Sequence, residues 1–228
     1  MIDTLINCDC MEFMKTMGDK SVDLTLTDIP YDAVNKKETR DNKGIRKLNK
    51  GAADILTFDL GDFCEEVDRV TSNTIIIFCE IEQMPFIYSF FKNKGYPTRQ
   101  LVWKKTNPSP MNGEYMYLSA AENAVWTKRG GGYFGAKCVS NVFEFPTGSS
   151  NIHPTEKNHD LLRKLIVENS KYEQTVFDPC AGSGSTLLVA GQEGRHYLGC
   201  EKDKEFYQKA QSRLNQQGGF QTKLFTEF

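Results

Sequence analysis

Val22-Asp-Leu-Thr-Leu-Thr-Asp28-Ile-Pro-Tyr31 is the stretch that decides how this chain reads. Val22, Leu24 and Leu26 alternate with Asp23, Thr25 and Thr27, the period of two expected of a β-strand. Pro30 ends the strand because proline has no N–H for the ladder, and it biases Ile29 towards extended geometry. Asp28 and Tyr31 are therefore expected at the carboxyl end of a strand, where open α/β sheets bind ligands. A carboxylate, a restrained backbone carbonyl and an aromatic ring so close together could grip a flat amine. Asp-x-Pro is also common chain punctuation, so the stretch alone fits a plain strand and turn equally well.

A distant stretch, Thr175-Val-Phe-Asp-Pro-Cys-Ala-Gly-Ser-Gly-Ser-Thr186, supplies a second half. An apolar strand runs through Asp178 and Pro179 into a glycine turn at Gly182, Ser183 and Gly184. A helix with Leu187, Leu188 and Ala190 follows. Two glycines after a strand let backbone approach a ligand at a helix N-terminus. Arg195 to Glu201 reads as the next strand, and an acid at its end is placed to accept hydrogen bonds from ribose hydroxyls. The pattern suits a dinucleotide or S-adenosylmethionine. The third glycine of G-x-G-x-x-G would fall at Leu187 and is absent, and no Gly-Lys-Ser/Thr of a P-loop follows.

Outward from these halves, the chain alternates strands and helices. Thr4 to Asn7 is a short strand, and Asp9 stands three residues before Glu12 as the cap of a capping box. Phe58 to Val70 has helical spacing, Thr74 to Cys79 is a continuous apolar run suited to a buried parallel strand, and Ile81 to Lys94 is another helix. Arg99 to Trp103 and Ala120 to Lys128 are strand-like. Leu161, Leu162, Leu165 and Ile166 mark a helix after His153-Pro-Thr-Glu-Lys157, and Lys204 to Leu214 marks a last one. Two segments break the alternation. Residues 33–55 form a basic loop in which Lys36, Lys37, Arg40, Lys43, Arg46 and Lys47 suit phosphate contacts or a solvated surface insertion. Residues from about 104 to 150 interleave cations with Tyr115, Tyr117, Trp126, Tyr133 and Phe134. That mixture fits a nucleic-acid surface, or a sheet-edge meander whose aromatics are core.

Composition narrows the class. The chain has 228 residues, 39% hydrophobic and 25% charged, as expected of one α/β domain spanning 1–228. Its net charge is −2, so affinity for nucleic acid must come from a local patch. No run approaches the roughly 18 apolar residues of a membrane span. Met1-Ile-Asp3 lacks the basic head and apolar stretch of a signal peptide, so a cytoplasmic location is expected. The seven cysteines form no C-x-x-C pair and the three histidines no metal motif. Reduced thiols and no metal are expected.

Three motifs together resemble one family. Phe177-Asp-Pro-Cys-Ala-Gly-Ser-Gly184 resembles the S-adenosylmethionine motif of DNA amino-methyltransferases, Asp28-Ile-Pro-Tyr31 their catalytic Asp-Pro-Pro-Tyr, and His153 to Lys157 the segment before the cofactor motif. The catalytic motif comes first, the order of the family's β group. The resemblance implies a Rossmann-like fold with a mostly parallel seven-stranded sheet and a reversed edge hairpin. It implies a catalytic turn of Asp28, Ile29, Pro30 and Tyr31. Cofactor contacts would come from Asp178, Pro179, Gly182, Ser183 and Gly184, with Glu201 at the ribose and Asp9 near the adenine. Thr155 and Lys157 would help close the methionine end. Double-stranded DNA is the implied partner, and 104–150 the implied target-recognition insertion. A homodimer is an allowed assembly, and a restriction-modification role fits.

The implied reaction is methylation of adenine N6, with cytosine N4 as the alternative. Family members with an acid at the Asp28 position mostly act on adenine, whereas many N4 enzymes carry serine. Ile29 stands where proline is usual, Asn158 replaces a proline after Lys157, and Cys180 sits where a large apolar residue is common. The first departure leaves room for a catalytically impaired DNA-binding relative. Pro179-Cys180 also raises a cytosine-C5 mechanism through a thiolate, although the pair lies in the cofactor turn. A nicotinamide oxidoreductase would leave Asp28 unexplained. A protein or RNA amine is a further candidate substrate.

Overall fold

A computed structural model describes residues 2–31, 56–110, 113–148 and 156–224, with side chains described through 216. The basic loop with Lys36, Lys37, Arg40, Lys43, Arg46 and Lys47, and Thr155 of the His-Pro-Thr segment, lie outside the described residues. Among the described residues eight strands make one sheet: β1 (Thr4–Asn7), β2 (Val22–Asp28), β3 (Thr71–Cys79), β4 (Thr98–Lys105), β5 (Ala121–Lys128), β6 (Val142–Phe145), β7 (Thr175–Asp178) and β8 (His196–Glu201). Their order is β1-β8-β7-β2-β3-β5-β4-β6. Only β5 runs against the rest, paired antiparallel with both β3 and β4. The expected α/β architecture is present, with eight strands where seven were expected. Residues 142–145, in a segment without clear periodicity, add parallel to the outer side of β4 as β6.

Helices cover both faces. On one face α1 (Cys10–Thr16), α2 (Leu60–Val70) and α3 (Met84–Asn93) bury Met14, Phe63, Val67, Ile87 and Phe91 against Ile75 and Ile77 of β3. On the other, α4 (His159–Asn169) and α5 (Ser185–Gln192) pack Leu161, Leu165 and Val189 against Leu24, Leu26 and Ile76. Helix α6 (Lys204–Leu224) closes that face, with Ala210 and Leu214 against Leu5 and Leu187. Burial on both faces explains the unbroken apolar run of β3. It also explains why the threonines of β2 are not a solvent face. Thr25 Oγ1 lies 2.6 Å from Thr71 Oγ1, and Thr27 donates to Asp178 at 2.8 Å, so each buried hydroxyl is satisfied inside the sheet.

Because seven strands share one direction, the ends of β1, β2, β3, β4, β7 and β8 and the start of β5 meet at one rim. Caps set this rim. Asp9 accepts from the backbone N–H of Met11 and Glu12, Asp59 from Gly61 and Asp62, and Asn158 from Asp160 and Leu161. The departure from proline at 158 is thus an N-cap, a role asparagine fills well.

Candidate active site

The rim holds two adjoining regions. The first is a cavity of about 220 Å³ lined by Asp9, Cys10, Pro30, Phe58, Pro179, Cys180, Glu201 and Lys202, among others. One carboxylate organises it. Glu201 Oε2 accepts from Gly182 N at 2.8 Å and Oε1 from Asp203 N at 2.7 Å, tying the glycine turn to the end of β8. Burial pushes the Glu201 carboxyl up to about 7, against the pull of those two N–H groups. Asp9, besides capping α1, is held by Lys202 Nζ at 3.0 Å. Burial works against its ionisation, but Lys202 and the helix N–H groups hold it below the usual carboxylate range.

The two glycines of the turn do different work. Both have positive φ, +52° at Gly182 and +73° at Gly184. A Cβ added at Gly182 would meet nothing within 4 Å, whereas one at Gly184 would lie 3.2 Å from the Cβ of Ala210 in α6. Gly182 therefore exposes backbone to open space beside the cavity, and Gly184 permits helix packing. Asp178 and Ser183 are buried and do not line the cavity. Asp178 Oδ1 accepts from Thr27 Oγ1 and from Cys180 N at 3.1 Å, which locks the turn to β2. Burial pushes the Asp178 carboxyl up to about 6 despite these bonds.

The second region is the turn after β2. Ile29 is 1% exposed, packs into the core and donates its N–H to Phe78 O at 3.2 Å. An isoleucine there is a core residue that leaves the turn in place. The Pro30 carbonyl accepts from Gln83 Nε2 at 3.0 Å, and Gln83 Oε1 accepts from Glu80 N, so a buried glutamine staples the turn to the end of β3. Tyr31 OH donates to Asp28 Oδ1 at 3.2 Å.

Asp28 keeps 30% of its side chain exposed, yet its Oδ2 sits 2.5 Å from Nζ of Lys157, whose side chain is 7% exposed. The same Nζ lies 3.0 Å from Glu122 Oε2, and Lys105 Nζ lies 2.7 Å from Glu122 Oε1. Two carboxylates and two ammonium groups thus alternate at the rim. Burial works against the Lys157 ammonium, but Asp28, Tyr31 and Glu122 raise it above the ordinary lysine range. Glu122, likewise penalised by burial, is held below the usual range by Lys157 and Lys105. Surrounding protein raises the Asp28 carboxyl, an effect Lys157 opposes.

Comparisons with known proteins agree with this arrangement. Residues 134–212 match a family model of N6/N4 type described as DNA methylase. The type II methyltransferase M.HinfI of Haemophilus influenzae is 27% identical over 257 residues, covering 94% of this chain and 69% of that protein. The type II methyltransferase M2.LlaDCHI of Lactococcus lactis subsp. cremoris is 24% identical, covering 92% of this chain and 88% of its own. The chain is thus similar to type II methyltransferases over more than nine-tenths of its length, and to the N6/N4 DNA methylase family over residues 134–212. Its fold is shared with the solved M1.HpyAVI–SAM complex, at a TM-score of 0.72 and 24% identity over 93% of this chain and 98% of that one. It is shared also with the PvuII DNA methyltransferase, described as cytosine-N4-specific, at a TM-score of 0.73 and 16% identity over 92% and 85%.

At this rim the structure brings together Asp9, Pro30, Pro179 and Glu201 around the cavity, with Gly182 beside it. Asp178, Ser183 and Gly184 act behind it. Lys157, expected at the methionine end of a cofactor, has its ammonium on Asp28. Phe58, Thr57 and Lys202 line the cavity, and Gln83, Glu122 and Lys105 support the turn, without having been singled out from sequence. Lys202 could have been suspected as the neighbour of Glu201; Gln83 and Glu122 carry no local signal. The 104–150 segment divides in two. Trp103, Trp126 and Phe143 pack in or against the core, and Lys104, Lys105, Lys128 and Arg129 bond within the protein, as a meander would have it. Tyr115, Met116 and Tyr117, between β4 and β5, are 84%, 64% and 102% exposed. Among the described residues no group of three or more side chains suits a metal, and no helix is long and apolar enough to cross a membrane.

Proposed function

We propose that this chain is an S-adenosylmethionine-dependent DNA methyltransferase that modifies the exocyclic N6 amine of adenine in duplex DNA. The observation that carries the reading is Asp28: a partly exposed carboxylate on a braced turn, at the same sheet rim as a cavity lined by Glu201, which is tied to the glycine turn beside it. The cradle fits the cofactor. Glu201 can accept from ribose hydroxyls, Phe58, Pro179 and Cys180 give apolar contact for an adenine, and the Gly182 backbone faces open space. When bound, the cofactor supplies a methyl group activated on a sulfonium.

The chain's own residues do the rest. An exocyclic base amine is a poor nucleophile because its lone pair is delocalised into the ring. Hydrogen bonds from that amine to the Asp28 carboxylate and the Ile29 carbonyl favour a pyramidal nitrogen with its lone pair aimed at the methyl. The Gln83 bond to Pro30 O holds the turn's backbone, and Tyr31 offers a stacking face beside Asp28. The base must leave the duplex first, at a cost of a few kcal/mol. Holding the two reactants in line can remove roughly 7–11 kcal/mol of barrier. The exposed Tyr115 to Tyr117 tip and the basic residues Lys36, Lys37, Arg40, Lys43, Arg46 and Lys47 are proposed as DNA contacts. An acid at position 28 favours adenine over cytosine. The test is incubation with labelled S-adenosylmethionine and mixed-sequence duplex DNA, followed by separation of nucleosides by mass. N6-methyladenine is expected. N4-methylcytosine alone would overturn the base assignment, and neither product would overturn the activity.

A further inference from the structure

The buried lysine beside Asp28 has no part in the chemistry above, although its ammonium sits on the carboxylate proposed to receive the target amine. The geometry points to Lys157 as the residue that reads the ring nitrogen next to the target amine, with Glu122 as the positioning residue that holds it there. The inference rests on the proposed amino-methyltransferase activity and names how that site selects its base.

An ammonium carries three donors and no acceptor. Lys157 Nζ donates to Asp28 Oδ2 at 2.5 Å and lies 3.0 Å from Glu122 Oε2 as an ion pair without hydrogen-bond geometry, so its three donors are not all committed to carboxylates. A carboxylate has about four acceptor sites on its two oxygens, so Asp28 can keep Lys157 and still accept from an incoming amine. In adenine and in cytosine the carbon bearing the amine is bonded to a bare ring nitrogen, N1 or N3 respectively, which accepts. A base that places its amine on Asp28 sets that nitrogen towards the cation already seated on the same carboxylate. Asp28 and Lys157 then form an acceptor and a donor side by side, complementary to the Watson–Crick edge by which flipped bases are read. Guanine N1 and thymine N3 carry hydrogen, and would set donor against donor at Lys157.

Glu122 decides whether this works. Lys157 already sits on Asp28 at 2.5 Å, so the incoming amine must use the acceptor sites that Asp28 has left, and the ammonium needs a second carboxylate to stay in place when it does. Glu122 pulls the ammonium from the β5 side, and Lys105 at 2.7 Å fixes Glu122 in turn. The two carboxylates are supplied by β2 and β5, which flank β3, and Lys157 comes from the chain just before α4.

The experiment uses the full chain, S-adenosylmethionine, and duplexes of a sequence that the wild type is first shown to methylate. At the methylated position the duplex carries either adenine or 1-deazaadenine, which keeps the amine and replaces N1 with C–H. If the product is N4-methylcytosine, 3-deazacytosine serves the same purpose. Single-turnover rates are compared for wild type, Lys157→Met and Glu122→Gln. The wild type is expected to lose about tenfold to a hundredfold on the deaza base, the scale of a hydrogen bond to a charged group. Lys157→Met should slow on adenine by a similar factor and treat both duplexes alike within about threefold. Comparing the two enzymes cancels the deaza base's altered amine reactivity. Cofactor affinity of Lys157→Met, by calorimetric titration, should be unchanged.

Undiminished discrimination in Lys157→Met, or a wild type indifferent to the deaza base, would overturn the inference while leaving the proposed activity standing. A fall in cofactor affinity with discrimination intact would return Lys157 to the methionine end of the cofactor and also overturn it. Should Lys157→Met not fold, Glu122→Gln decides: narrowed discrimination supports the inference, and wild-type discrimination sinks it. No methylation of ordinary DNA by the wild type would overturn the activity and the inference together.

Discussion

The two halves of the rim are built from different materials. On the cofactor side, backbone carries the design: a glycine turn with two positive φ angles, tied by its own N–H to Glu201 at 2.8 Å. On the target side, side chains from distant parts of the chain carry it. Asp28, Lys157, Glu122, Lys105 and Gln83 meet from β2, the approach to α4, β5, β4 and the approach to α3. A backbone cradle is a local object that fails when a side chain is added. A charge network fails when one partner is removed, because the other charges were arranged around it. The halves should therefore break by different substitutions and with different signatures.

The largest effect is expected at Asp28. Asp28→Ala removes the acceptor for the target amine and one of the two carboxylates holding Lys157. Methyl transfer should fall on the order of a hundredfold or more. Cofactor affinity should stay within about twofold, since Asp28 does not line the cavity. Single-turnover rates and calorimetric titration separate the two. Equal losses in both would mean that the halves are one coupled unit.

Next comes a pair that should split the glycine turn itself. Gly182→Val places a branched side chain in the open space beside the cavity, at a backbone angle valine rarely adopts. Loss of more than about tenfold in S-adenosylmethionine affinity is expected. Gly184→Val meets the Cβ of Ala210 at 3.2 Å, in the packing of α5 against α6. Its main cost should be stability, about 1–3 kcal/mol and a lower Tm. The reverse pattern would exchange the two roles.

The same division governs what could be read in the residues. Strand β2, the turn at Gly182, the acid at Glu201 and the cap at Asp9 declare themselves through spacing within a few residues, because local backbone geometry imposes local sequence. The sheet's parallel core follows from the apolar run of β3. Strand β6 gave no signal: Val142–Phe145 is four residues long, and its pairing with β4 depends on a neighbour across the fold. Gln83 and Glu122 look like any surface polar residue until the sheet brings Pro30 and Lys157 to them. Lys157 was placed by motif at the cofactor, and the ion pair with Asp28 could not be inferred from spacing. Asp178 and Gly184, singled out as ligand contacts, brace the turn from behind.

A pH series sharpens the cofactor half. Glu201 is raised from 4.5 to about 7 by burial, so at pH 6 it is largely neutral in the free protein. A raised carboxyl stabilises the folded state below its unfolded value, and this contribution is lost as pH rises through about 7. Affinity for S-adenosylmethionine should run the other way, because the ionised carboxylate is the stronger acceptor for ribose hydroxyls. From pH 6 to 8 the affinity should rise several-fold, while the stability of the free protein declines relative to Glu201→Gln. Calorimetry and thermal melts on both proteins test this. A wild-type affinity as flat as that of Glu201→Gln would remove Glu201 from the ribose.

The smallest effect is expected at Cys180, and it bears on which half does the chemistry. Pro179-Cys180 has the residue order of a thiolate nucleophile, and Cys180 does line the cavity. A thiol attacks only as the thiolate. Here the hydrogen bond with Cys10, followed by burial, pushes the Cys180 thiol well above its ordinary value, so it is held protonated. Its backbone N–H is committed to Asp178, which fixes the residue as part of the turn rather than as a group presented to a base. Serine keeps the size and can hydrogen-bond in the same place, so Cys180→Ser should transfer methyl groups within about threefold of wild type, a small packing effect on the scale of 0.5 kcal/mol. Alkylation is a poor substitute for this variant, because an added group would fill the cavity and inhibit by bulk alone. Complete loss of transfer by a folded Cys180→Ser protein with normal cofactor affinity would move the chemistry from Asp28 to the sulfur, and would make the cofactor half the catalytic one.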